Sequence, residues 1–207
     1  EISCSLVGSE MCIRDSNYRE RYPSENAFFL PDFPVDAEVK YKDNLVNAYD
    51  NSIRYTDDFL ARLIGMLQEQ NTDAAMLYTS DHGEDIFDDS RRLFLHASPV
   101  PSYYQIHVPF LLWMSDSYRD HYPSLWENTI SNKQKNISSS ASFFHTMLEL
   151  GGVTTPYRND SLSVVNGLFT EKPRVYLNDH NEARSLNEIG MGEEDFEMLQ
   201  QKGILSV

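Results

Sequence analysis

Residues 79–90, TSDHGEDIFDDS, gather five carboxylates (Asp81, Glu84, Asp85, Asp88, Asp89) around one imidazole, His82, directly after the apolar run AAMLY at 74–78. A carboxylate beside an imidazole is a natural ligand pair for Zn²⁺ or a similar divalent ion, with bonds of about 2.0–2.2 Å. Gly83 gives the backbone the freedom for the sharp exit that adjacent ligands require. Local spacing supplies no third ligand, and an acidic loop of this kind also serves as a plain solvated turn. An EF-hand is excluded, because glycine follows Asp81 by only two positions and the other ligand spacings of that loop are missing.

The elements that must position these residues are legible from periodicity. Residues 74–80 and 107–115 (HVPFLLWMS) are continuously apolar, which predicts two strands covered on both faces, as in a parallel sheet sandwiched by helices. Between about Val39 and Gln70 the residues Val46, Tyr49, Ile53, Phe59, Leu60, Leu63, Ile64 and Leu67 recur at three-to-four spacing and predict a long amphipathic helix. A second helix is predicted from the serines at 138–140, as caps, to Gly151 and Gly152, as stops. PRVYLN at 173–178 reads as a third strand, and EEDFEMLQQ at 193–201 as a short acidic terminal helix. Residues 17–34 carry three prolines among aromatics and read as irregular backbone. The alternation of strand and helix makes an α/β domain, and ligands in such sheets collect beyond the carboxyl ends of the strands, where Asp81 and His82 fall.

The chain has 207 residues, 41% of them hydrophobic, enough for one substantial core. Its net charge of −15 disfavours nucleic acid or an anionic membrane as a non-specific partner and suits a bound cation. No run approaches the roughly 18 apolar residues of a spanning helix. Residues 1–16, EISCSLVGSEMCIRDS, follow neither period and resemble translated sequencing-adapter read-through; they are set aside, leaving 17–207 as the domain, with 173–207 its terminal strand and acidic helix. Cys4 and Cys12 fall in the excluded stretch, so cysteine usage carries no redox argument. Without Glu1, Glu10, Asp15 and Arg14 the charge becomes −13, so the acidity belongs to the remainder.

The segments NAYDNSIRYTDDFLARLIGMLQEQ, LYTSDHGE, LFLHASP and HVPFLLWMS, in that order and after the YRERYP of Tyr18 to Pro23, resemble the C-terminal half of the catalytic domain of phosphoethanolamine transferases, from about Asn17 to at least His145. Those membrane-anchored enzymes belong to the alkaline phosphatase and sulfatase superfamily and modify lipid A or related envelope glycans. The resemblance implies a three-layer α/β/α alkaline-phosphatase-like fold, present as its C-terminal part. It further implies Zn²⁺ on Asp81 and His82, a catalytic role for His96 at the substrate phosphate or leaving group, a phosphatidylethanolamine donor, and a lipid A or glycan acceptor. The implied location is the periplasmic face of the bacterial inner membrane. Ala97 stands where the family has glycine after that histidine. The family's threonine nucleophile, which carries phosphoethanolamine covalently, lies upstream with a further acidic zinc ligand and a histidine-bearing segment; the 207 residues alone are therefore expected to be inactive.

Glu84, Tyr104 and His180 are the remaining candidates for orienting the site or meeting substrate. His107 reads as the start of a strand, and His145 as a core or boundary residue of its helix. Two other functions are compatible with the loop. One is a sulfatase or phosphodiesterase of the same superfamily, although sulfatases usually show a lysine downstream of DHG where this chain has LFLHASP. The other is a non-catalytic acidic module that binds Ca²⁺ through oxygens only, with His82 outside the shell.

Overall fold

The structure, a computed structural model, describes residues 17–96, 98–177 and 182–204. Cys4, Cys12, Ala97 and His180 lie outside those residues. The chain divides into two compact units, one built from residues up to Leu63 together with Glu84–Ser98, the other from Ile64–Gly83 and everything from Pro99 onward.

In the first unit, two short 3₁₀ turns at Tyr18–Arg21 and Ser24–Asn26 lead through irregular backbone to helix α1, Lys42–Glu69, whose last residues pass into the second unit. The long helix is where its spacing predicted it, but its buried stripe is not the bulky one. Leu45, Ala48, Asn51, Ser52 and Leu60 are buried, whereas Ile53 and Phe59 are 54% and 61% exposed. A small residue at position 48 lets neighbouring chain approach closely, and Asn51 explains why a polar side chain is inside. Its Oδ1 accepts hydrogen bonds from the backbone N–H of Phe28 and Phe29 at 2.8 and 2.9 Å, while its Nδ2 donates to the Phe29 carbonyl at 2.9 Å. One amide thus satisfies three backbone groups that irregular chain cannot satisfy for itself. The unit closes with strands β2, Asp85–Ile86, and β3, Phe94–Leu95, which pair antiparallel. Tyr18, Leu45, Ala48 and Ile86 form its core.

The second unit contains β1, Ala75–Thr79, then helix α2, Tyr103–Ile106, and β4, Phe110–Met114. Helices α3, Asp116–His121, α4, Pro123–Asn132, and α5, Ser139–Leu150, follow. Strands β5, Val175–Leu177, and β6, Ala183–Ser185, pair antiparallel before helix α6, Glu193–Gln201. The parallel arrangement expected for 74–80 and 107–115 is not what forms. β1 and β4 pair antiparallel, from Ala75 opposite Met114 to Thr79 opposite Phe110. Residues 80–109 separate the two strands, enough chain for either direction, so neither the length of the connection nor an apolar run that both directions share could select the pairing. The cover is incomplete as well: in these strands only Met76 and Met114 are buried and Leu111 is 38% exposed, so continuous hydrophobicity indicated neither the direction nor full burial. Met114, Tyr118, Val164, Val165 and Phe169 form one core cluster; Tyr103, Leu186, Met191 and Leu199 form another beside α2 and α6. No described helix is long and apolar enough to cross a membrane.

Candidate metal centre and a second histidine

β1 ends at Thr79, and the loop that follows presents Asp81 and His82. The Asp81 side chain is 81% exposed, and its Oδ2 lies 3.8 Å from His82 Nε2. Two ligands at about 2.0–2.2 Å from a tetrahedral ion stand roughly 3.3–3.6 Å apart, so this pair needs only a few tenths of an ångström of adjustment to share one. The ring is already turned for that purpose. His82 Nδ1 lies 3.0 Å from the Gly83 carbonyl, and a carbonyl only accepts, so Nδ1 is the donor of that contact and Nε2 is the nitrogen that can offer a lone pair to an ion. The loop is further held by Ser80 Oγ, which donates to the His82 carbonyl at 2.7 Å, and by Asp81 Oδ1, which accepts from the His82 N–H at 3.1 Å.

Gly83 is required by space rather than by an unusual dihedral. Its N–H donates to the Gln105 carbonyl at 2.8 Å, and a Cβ at this position would overlap the carbonyl oxygen of Tyr104. Tyr104, a candidate for substrate contact, therefore acts on the loop through its backbone, while its ring packs edge-on against Tyr103 at 5.4 Å.

In the first unit, Glu84 and His96 flank the β2–β3 hairpin, twelve positions apart. Glu84 Oε1 lies 3.2 Å from His96 Nδ1, and the Glu84 side chain is 6% exposed. Both offer metal-competent atoms, and a single glycine separates Glu84 from His82 along the chain. Burial, followed by the negative charge of Glu84, pushes the Tyr49 hydroxyl above its usual range. The other acids of the stretch have local work. Asp85 is buried in β2, Asp88 accepts from the Ile86 N–H at 2.7 Å, and the Arg91 guanidinium beside Asp89 holds that carboxyl below its ordinary value.

His107 is not a strand start. It caps α2, with Nδ1 2.6 Å from the Tyr103 hydroxyl, and burial lowers its proton affinity. His145 is a half-buried boundary residue of α5, accepting from the Asn159 N–H at 3.1 Å. Two contributors escaped the sequence reading, Ser80 and Asp195. A serine before the acidic run carries no periodic signal, and Asp195 is one acid among many in the terminal helix.

Comparison with known proteins places these residues in context. The sulfatase family pattern matches residues 11–153. The chain belongs to the sulfatase family. Phosphoethanolamine transferase EptA of Escherichia coli K12 is 32% identical over 146 residues, covering 68% of this chain and 26% of that protein. The Kdo(2)-lipid A phosphoethanolamine 7''-transferase of the same strain is 35% identical over 108 residues, covering 51% and 18%. The C-terminal periplasmic domain of EptC from Escherichia coli, solved in complex with Zn, superposes with a TM-score of 0.70 at 25% identity, over 86% of this chain and 50% of that domain. The chain thus spans about a quarter of the first relative and half of the solved domain, and its fold is of that alkaline-phosphatase-like kind.

Proposed function

We propose that this sulfatase-family chain is the part of a phosphoethanolamine transferase that holds Zn²⁺ on Asp81 and His82 and presents His96 to the transferred group. The acceptor is lipid A or a related envelope glycan, the donor phosphatidylethanolamine, and the site of action the periplasmic face of the inner membrane, to which upstream segments anchor the enzyme. The observation that carries it is the Asp81 and His82 pair, with Oδ2 and Nε2 3.8 Å apart and Nδ1 committed to the Gly83 carbonyl. A bound Zn²⁺ would stabilise charge spread over the phosphoryl oxygens and favour an ionised attacking hydroxyl.

The remaining chemistry falls to side chains. Glu84 accepts the Nδ1 proton of His96 and so orients the ring; when the ring carries a second proton, at Nε2, that proton is the one it would pass to a leaving oxygen. In the family pattern a threonine oxygen bonds to phosphorus as the donor lipid departs, and the acceptor phosphate then displaces the threonine. The zinc complex of the EptC domain supports the metal by likeness.

Zinc titration of the chain and of Asp81→Asn tests the assignment. Zinc uptake that weakens sharply in the variant is expected; equal affinity in both, or a preference for Ca²⁺ that ignores His82→Ala, would sink it and favour an oxygen-only structural site.

A further inference from the structure

We propose that Asp195, in the terminal helix α6, is a positioning residue for the Asp81–Gly83 loop, acting through α2; the inference rests on the metal reading of Asp81 and His82. Asp195 is 1% exposed, and its two oxygens divide between two elements. Oδ2 accepts from the Gly192 N–H at 3.0 Å and caps its own helix, while Oδ1 accepts from the Tyr103 N–H at 2.8 Å. That N–H belongs to the first turn of α2, where a helix has no internal acceptor to offer.

Helix α2 has four residues and cannot hold its own position by internal hydrogen bonding. Its anchors are Ser102, whose Oγ accepts from the Gln105 N–H at 3.3 Å, the apolar cluster of Tyr103, Leu186, Met191 and Leu199, and the Asp195 carboxylate. From the opposite end α2 presents two carbonyls to the loop. That of Gln105 receives the Gly83 N–H, and that of Tyr104 fills the space a Cβ would need. The Gly83 carbonyl in turn fixes His82 Nδ1. A continuous path of directional contacts runs from the carboxylate through one rigid turn to the ring whose Nε2 faces Asp81. The apolar cluster gives α2 burial, whereas the charged acceptor gives it an address, and outer partners of this sort usually set metal affinity by about 10- to 100-fold.

The test compares the full chain with Asp195→Asn, Glu197→Gln and Leu199→Ala, reading Zn²⁺ affinity by chelator competition and amide exchange at Gly83. Asparagine keeps the size but turns an amide N–H₂ toward a backbone donor. Asp195→Asn is expected to weaken zinc binding about tenfold, at the low end of such effects, and to speed Gly83 exchange, while Glu197→Gln, on the exposed side of α6, changes neither. Leu199→Ala should lower the melting temperature yet keep zinc affinity below its transition. Wild-type affinity or wild-type Gly83 exchange in Asp195→Asn overturns the proposal, as does an equal zinc loss in Leu199→Ala at matched melting temperature. Should Asp195→Asn fail to fold, Asp195→Ser, which keeps one uncharged acceptor, is read the same way. If the wild type takes up no zinc, the metal reading fails on its own account, and Gly83 exchange alone still decides whether Asp195 holds the loop.

Discussion

The Asp81 and His82 loop and the Glu84 and His96 hairpin each join a carboxylate to an imidazole, and they do so in opposite ways. On the loop the two side chains are chain neighbours, the acid stands in solvent, and the ring is turned by a backbone carbonyl. On the hairpin the partners are twelve positions apart, the acid is nearly covered, and the ring is turned by that acid. A carbonyl fixes a ring without bringing charge, which leaves Nε2 as the nitrogen that turns to a metal. A carboxylate brings a counter-charge as well, which suits a ring that exchanges protons with substrate. Two copies of one residue pair are thereby given different chemistry by what holds Nδ1.

The largest effects should separate these regions. Asp81→Asn or His82→Ala removes an atom that touches the ion, and zinc affinity is expected to fall by more than the roughly 10- to 100-fold of an outer partner, with little change in melting temperature because the Asp81 side chain is exposed. Isothermal titration checks the first half of that statement and a thermal melt the second. Gly83→Ala has the reverse profile. The new methyl overlaps the Tyr104 carbonyl, a backbone atom that cannot swing away, so a loss of about 1–3 kcal/mol is expected. Urea unfolding at unchanged slope measures it, and a wild-type midpoint would show that α2 is free to retreat.

What the sequence revealed follows what local pattern can encode. The terminal helix at 193–201 and the long helix were readable because propensity and period act within a few residues. The direction of β4 was not, since an apolar run looks the same in a parallel and an antiparallel pair. The buried face of α1 was misjudged for a related reason. Bulk suggested Ile53 and Phe59, but Asn51 is inside because backbone at residues 28 and 29 needs its amide, a demand visible only once the two segments meet. At the site, Asp81 and His82 were legible as a motif, whereas Asp195 was hidden among acids of the same composition and distinguished only by burial.

Smaller effects sharpen the contrast. Glu84→Gln keeps an acceptor for His96 but removes the charge, and should cost about 1 kcal/mol of stability while leaving zinc affinity on the loop nearly unchanged; denaturation and titration of the same variant check the pair. A large zinc loss there would overturn the division of labour drawn above.

The smallest expected effect comes from a third imidazole, held at Nδ1 by neither a carbonyl nor a carboxylate. His107 meets the Tyr103 hydroxyl, and its proton affinity is lowered first by burial and then by the positive charges of Lys202 and Arg174. The folded chain therefore takes up this proton less readily than the unfolded chain does. Stability is intact above the ordinary histidine value of 6.5 and declines as pH falls through it toward the lower folded value. Melting curves between pH 7.5 and 5.5 should show that decline in the wild type and a shallower one in His107→Gln, which cannot take up a proton. Equal slopes would mean that a proton on His107 is accommodated by the Tyr103 oxygen at no cost, and that the chemistry of a ring in this protein is not set by the partner of its Nδ1.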